Sequence, residues 1–444
     1  MAAMSPAAVA LARFAHGLDV IPDEVQRAAL EVLRHNVVVA LAARDSVDSG
    51  GRDGELWPAG LPVDASGTRI RDGHRVPAER AIVANSLLMG ARAQHDEVPR
   101  AVSHFGSTVI PPLLAIAEAH RVSGQDFLIA LVAGYEVGER VGAAYVSAAA
   151  SRGFRPTGLF GPVAGAAAGA RALGLSERAT TSAIALAANM SAGLSETWRA
   201  GTDEWRYQTA LAARSAYTAA TLAEAGVSGS VDTFEAPNGF ARAFTGTDTA
   251  IDGSDLGRRW CMHEVILKPY PVCVFNQAVV EQIVNVRPEV SGQLDEIRVH
   301  MNPADAQYPG VDAPDPPPTR AAALMSAQIC AAIAFRRGTV DLEDLESSGD
   351  PQLREMARLV RVVPDSDVPS HGARVQIRTS AGLFGLPTPA LVASDTAARR
   401  AICARLAPKT GLSDTEFERL MAAVDSLPSA KDVTGLLSAM ALGE

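Results

Sequence analysis

The stretch from Gly158 to Leu175 sets the tightest limit on how this chain folds. It is dense in glycine and alanine (Gly161, Gly165, Ala166, Ala167, Ala168, Gly169). How closely two helices approach depends on the side chains between them, so small ones predict a central helix packed tightly by its neighbours. A phosphate-cradling loop does not fit. Gly158-x-x-Gly161 has no strand before it and no Lys-Ser/Thr after it. No GxGxxG follows a strand elsewhere, so a nicotinamide or flavin site lacks support.

The rest of the first half reads as helices. Pro22-Asp23-Glu24 opens one, with Val25, Ala28, Ala29, Val32 and Leu33 at helical spacing. Further helices are expected from Pro77, from Pro111-Pro112 and from Ser123-Gly124. Near residue 255 the texture changes. Val265–Leu267, Ile297–Met301, Leu359–Val363 and Ala373–Arg378 read as short strands. A proline-rich loop (Pro314, Pro316, Pro317, Pro318) leads into a helix expected over Thr319–Phe335, and helical patterns return after Ser394. The expected fold is mostly α. A large helical domain spans 1–258, a smaller α+β domain 259–392, and C-terminal helices 393–444 pack back on the first.

The formal net charge of -10 argues against nucleic acid or an anionic membrane as partner. Cys261, Cys273, Cys330 and Cys403 form no CxxC pair, so neither a zinc site nor a disulfide framework is expected. No apolar run is long enough to span a membrane, and no basic segment precedes the apolar N-terminus. A cytoplasmic protein without bound metal is the expectation.

Four polar clusters interrupt the apolar helices. Gln94-His95-Asp96-Glu97 precedes His104, which stands just ahead of a helix start, where a histidine can move protons beside an anion site. Arg155, in Gly153-Phe154-Arg155-Pro156-Thr157-Gly158, can clamp a carboxylate or simply cap a surface turn. Trp205, Arg206 and Gln208 suit a pocket wall and equally a subunit interface. Lys268, one of only three lysines, is followed by Pro269-Tyr270-Pro271-Val272-Cys273. A lysine held among apolar neighbours can serve as acid or base.

In this order, the acidic patch with His104-x-x-Ser107, the GFRPTG turn with its Gly/Ala helix, GTDEWR and KPYPVC resemble the MmgE/PrpD family over essentially the whole chain. The resemblance implies a mostly α large domain with an α+β lid, usually a homodimer, and cofactor-independent chemistry on small carboxylates. That chemistry is dehydration of 2-methylcitrate-type acids, decarboxylation of cis-aconitate or epimerisation of iminodisuccinate.

Carried over by position, His104 and Lys268 match the family's histidine and lysine and are the expected catalytic pair. Other positions depart. Gln94 stands where the family has aspartate, with Asp96 and Glu97 keeping acidity nearby, and Val98 replaces a threonine. Arg155 replaces a histidine, Trp205 a lysine, Gln208 and Gln277 histidines, and Ile329 falls at a tyrosine. Gln94, Asp96, Arg155, Trp205, Arg206, Gln208, Tyr270 and Gln277 are the expected substrate-binding residues. Arginine stays protonated at working pH, so Arg155 binds charge and does not move protons. Loss of the lysine at Trp205 predicts a larger or less charged substrate than a small tricarboxylate. The expected function is a dehydratase-type lyase acting by α-proton abstraction. An epimerase or isomerase with the same residues, a decarboxylase, and a catalytically silent binding protein are the alternatives.

Overall fold

The first helices begin where proline, acid or hydroxyl residues satisfy a helix start. In the computed structural model, which describes residues 6–44, 66–385, 388–389, 391 and 396–441, one helix runs Asp23–Leu41 behind Pro22. Another runs Ala78–Gly90 behind Pro77. Gly124–Ser151 follows Ser123, whose hydroxyl accepts from the Asp126 N–H at 3.1 Å, the usual N-cap bond. Among the described residues, no helix is long and apolar enough to cross a membrane.

The helix expected to start at Pro111-Pro112 begins earlier. It starts at Gly106 and runs to His120, with Pro111 and Pro112 inside it. An interior proline withholds the N–H that would bond the carbonyl four residues back. For Pro111 that carbonyl belongs to Ser107, and the Ser86 hydroxyl donates to it instead at 2.7 Å. The true start is held by the Asp96 carboxylate, which accepts the Gly106 N–H at 3.0 Å.

The glycine- and alanine-rich helix runs Pro156–Ala172, with Pro156 in its first turn and almost every residue buried. Its glycines are spaced for close approach. A Cβ added at Gly165 would lie 2.5 Å from the Ala216 Cβ and 2.7 Å from the Thr108 carbonyl oxygen. Alanine gains about 1 kcal/mol of helix propensity over glycine. Overpacking against a backbone atom costs about 1–3 kcal/mol, and here it should win. Gly165→Ala is therefore expected to lower stability by up to about 2 kcal/mol in urea unfolding, and a stabilised variant would mean the helices part without cost.

Two compact units emerge. The first comprises Met1–Leu194, Arg206–Leu267 and Arg399–Glu444, the second Ser195–Trp205 and Lys268–Ala398. The break nearest the expected boundary at 258 falls after Leu267, because Cys261, Met262, Val265 and Leu267 are buried in the first unit's core. The helices Thr396–Leu406, Asp414–Asp425 and Thr434–Met440 supply Ile402, Leu406, Leu420, Val424 and Leu437 to that same core. The expected boundary at 392/393 lies outside the described residues. Ser195–Trp205, which the sequence reading gave to the helical domain, groups with the second unit. The Thr319 hydroxyl donates to the Gly201 carbonyl at 2.8 Å, and Gly310 packs against Trp198.

The first unit also carries a short hairpin, β1 (Ser66–Thr68) with β2 (Arg75–Pro77). The second unit holds a four-stranded sheet of β3 (Leu294–Met301), β4 (Val360–Pro364), β5 (Arg374–Thr379) and β6 (Gly382–Gly385), in the order β4-β3-β5-β6. β4 runs parallel to β3 and β5 antiparallel to it. A parallel neighbour needs a long crossover, and the helices between Met301 and Val360 provide it. Ile297, Val299, Met301, Val375 and Ile377 are buried with period two, as a half-covered sheet requires. The helix expected over Thr319–Phe335 is two, Arg320–Met325 and Ala327–Arg337, because Ser326 leaves helical geometry and its hydroxyl caps the second at Ile329. Val265–Leu267 forms no strand. Ile266 makes a single bridge with Glu97, and Pro269 and Pro271 just beyond lack the N–H groups that would extend a ladder.

Candidate active site

Gln94, His95, Asp96 and Glu97 are all buried, with Asp96 and Glu97 at 0% exposure. Burying charge is costly without partners, so the loop's bonds decide what it is for. Its backbone is held from three directions. His35 Nε2 bonds the Gln94 carbonyl at 2.7 Å, and Arg92 reaches the Gln94 amide oxygen at 3.3 Å. Glu97 and Ile266 exchange two backbone hydrogen bonds of 2.9 Å, and the Val98 N–H donates to the Ser103 carbonyl at 2.8 Å. Between those last two residues the chain turns through Pro99–Ala101 and a left-handed Val102. Arg100 in that turn pairs with the buried Glu139 at 2.9 Å.

His104 leaves this loop immediately before the Gly106–His120 helix. Its Nδ1 lies 2.9 Å from the Asp96 carbonyl oxygen. A carbonyl only accepts, so Nδ1 carries the hydrogen and Nε2 is the basic nitrogen of the neutral ring. The Glu97 carboxylate stands 3.0 Å from the same Nδ1, and the His95 ring meets the His104 ring edge-on at 4.0 Å between centroids. The Thr157 hydroxyl accepts the His104 backbone N–H at 3.2 Å. The imidazole is 16% exposed, while the Glu97 side chain is fully covered.

The Asp96 carboxylate faces inward. It accepts from the Gly106 N–H and, at 2.7 Å, from the Tyr135 hydroxyl. Burial pushes its carboxyl up to about 6, against the pull of the hydrogen bonds from Tyr135, Gly106 and Asn36. Beneath the loop, burial likewise raises Glu136 to about 7, although it accepts the Cys261 N–H at 2.7 Å.

Arg155 is the N-cap residue of the Pro156–Ala172 helix, and its backbone N–H donates to the Gly193 carbonyl. Its buried guanidinium donates to the Gln208 amide oxygen at 3.3 Å, and the Gln208 amide donates in turn to the Leu194 carbonyl. The neutral Gln208 amide orients the guanidinium. Arg206 lies two residues before Gln208 on the Glu204–Glu224 helix.

In the second unit, the Trp205 indole packs on Trp198 at 5.5 Å. Lys268 is 1% exposed. The Tyr270 hydroxyl donates to Glu281 at 2.9 Å. Gln277 braces the turn after the lysine. Its amide oxygen accepts the Tyr270 N–H, and its amide nitrogen donates to the Tyr270 and Val272 carbonyls at 2.9 Å.

The structure thus brings Gln94, Asp96 and His104 together in one loop of the first unit, joined there by His95 and Glu97, which belong to the same polar run but were not among the expected catalytic or substrate-binding residues. The available signal was the run itself, since four consecutive polar residues between apolar helices need partners to be buried. Arg155 and Gln208 form a second group in that unit. Trp205, Lys268, Tyr270 and Gln277 belong to the other.

A cis-aconitate decarboxylase-like protein, oryM, of Aspergillus oryzae is 38% identical over 180 residues, 38% of this chain and 37% of the relative. The cis-aconitate decarboxylase of Aspergillus terreus is 28% identical over 229 residues, 48% of this chain and 46% of the relative. The chain therefore spans under half the length of the curated relatives it matches. The MmgE/PrpD N-terminal domain matches residues 9–251, and the MmgE/PrpD C-terminal domain matches residues 270–382. With well over half of its length so matched, the chain belongs to the MmgE/PrpD family.

Proposed function

We propose that the protein is a lyase that breaks a bond beside a carboxylate by moving a proton at the neighbouring carbon. The observation that carries this reading is His104. Its Nδ1–H is committed to the Asp96 carbonyl, which makes Nε2 the proton acceptor, and the ring is partly open beside the buried run Gln94–Glu97. A histidine so oriented is suited to general base catalysis near neutral pH.

In the dehydratase form, Nε2 takes the α-proton and the C–H electron pair passes into an enolate; that pair then forms the C=C bond as the β C–O bond breaks, and the leaving hydroxyl takes the proton back from the imidazolium to depart as water. Lys268 and Arg155 are assigned to the developing negative charge, where a fixed cation in a dry site acts most strongly. A second reading, decarboxylation, is favoured by the names of the two relatives. There a C–C bond breaks to release carbon dioxide, and protonated His104 returns a proton to the carbanion.

The substrate class follows from charge. Trp205 and Gln208 are neutral, and Arg155 is the cation among the altered positions. A hydrogen bond to a charged group contributes about 1.5–3 kcal/mol, or about 10–100-fold. Proton NMR in deuterated water, run over hydroxy- and unsaturated carboxylates, is expected to show loss of water to an unsaturated acid or, in the decarboxylation reading, solvent deuterium at the carbon that lost carbon dioxide. Mono- or dicarboxylates should be preferred over 2-methylcitrate and cis-aconitate by about tenfold or more in kcat/KM. Tricarboxylates turned over best would defeat the charge argument, and loss of neither water nor carbon dioxide from any acid of the panel would defeat the lyase.

A further inference from the structure

We propose that Glu97 is the positioning carboxylate of His104, a buried counter-charge that makes the imidazole a stronger base without itself meeting substrate. The inference rests on the reading of His104 as the acid/base group, and adds the residue that sets its strength.

The geometry divides the work at Nδ1 between two neighbours. The Asp96 carbonyl, at 2.9 Å, accepts the hydrogen and fixes the tautomer. The Glu97 carboxylate, at 3.0 Å, supplies charge. The Asp96 carboxylate is not available for that part, because it is turned to the Gly106 N–H and the Tyr135 hydroxyl. Glu97 is held in place by its paired backbone bonds with Ile266. Its side chain is fully buried while the imidazole is 16% exposed, so the ring alone reaches outward.

Other groups stand around the His104 ring and its loop. His95 meets it edge-on, and a second positive ring there would oppose protonation. Thr157 and Asn36 are neutral, Tyr135 is bonded to Asp96, and His35 is spent on the Gln94 carbonyl. A carboxylate at this distance favours imidazolium, typically by about 1–3 pH units of proton affinity. Protonation of His104 after it takes a substrate proton is the step that gains.

The test follows the histidine directly and needs no substrate. The full chain is labelled with 15N-histidine, and long-range 1H–15N spectra are recorded across pH, with the His104 signals identified by their loss in His104→Gln. Wild type and Glu97→Gln are both expected as the Nδ1–H tautomer, with the Glu97→Gln midpoint lower by about one unit or more, a tenfold or greater loss of proton affinity. Glu136→Gln, which removes a buried carboxylate elsewhere in the same unit, should leave His104 unmoved. Glu97→Asp keeps the charge one methylene further back and should titrate between wild type and Glu97→Gln. Equal midpoints in wild type and Glu97→Gln overturn the proposal. Should Glu97→Gln not fold, an unshifted Glu97→Asp overturns it equally.

With an acid that the enzyme turns over, the acid limb of kcat/KM should move down with the NMR midpoint. The plateau kcat should fall about tenfold with KM little changed. If instead His104→Gln keeps full activity while the NMR shift appears, the acid/base reading fails and the pairing of Glu97 with His104 stands.

Discussion

His104→Ala should slow substrate turnover and carbon-bound deuterium exchange by about 10²–10⁴-fold, the usual worth of a positioned general acid/base. The fall should appear in kcat more than in KM, because the imidazole acts on a proton in flight and not on the resting substrate. The fold should survive, since the ring's hydrogen bond runs to a backbone carbonyl that the loop holds by other means. His35, the Glu97–Ile266 pair and the Val98–Ser103 bond all remain. Lys268→Ala should match the loss if charge on the enolate limits the rate. Exchange that persists in His104→Ala but not in Lys268→Ala would transfer the base to the lysine. A variant within threefold of wild type would remove His104 from the chemistry.

Glu139→Ala is expected to be the most damaging single change to stability in the first unit. Its carboxylate is 1% exposed and receives Arg100 at 2.9 Å, Arg259 at 2.7 Å and Arg140. Three cations converge on one buried anion. Removing it leaves Arg140, itself 3% exposed, to Asp255 at 2.9 Å and Glu136 at 3.7 Å. Deleting one partner of a buried pair costs about 3–5 kcal/mol, because the remaining charge loses its compensation. Differential scanning calorimetry should show the first unit's transition falling by roughly 10 °C. A loss under about 1 kcal/mol would mean that water or the other acids satisfy the arginines. Because Arg100 belongs to the turn between Val98 and Ser103, catalysis should weaken in this variant below its melting point as well.

Much of the helical map was readable because helix starts have chemical signatures. Pro22, Pro77, Ser123 and Pro156 each stand at one. Pro111-Pro112 misled for a reason the chain does not display, since the carbonyl left over at Ser107 is satisfied from Ser86, a helix away in sequence. Val265–Leu267 has strand composition but no strand, because composition does not count the N–H groups missing at Pro269 and Pro271. Ser195–Trp205 could not be assigned to the second unit from sequence, as its link runs through Thr319.

At the site, His104 was legible from its place ahead of a helix. The separate duties of Asp96 and Glu97 were not, because adjacent acids look alike until their hydrogen bonds are seen. Gln277 shows the same limit. Its residue type permits a substrate contact, and only the structure reveals an amide engaged with the Tyr270 and Val272 backbone.

The link from Arg100 to Glu139 also bears on heat. The penalty for desolvating ions shrinks as temperature rises, whereas burial of apolar surface gains little more. A loop moored by ions at its turn loosens less on warming than one moored by packing alone. The segment that carries His104 should therefore stay docked until its unit melts, so that thermal inactivation coincides with loss of the fold and does not precede it.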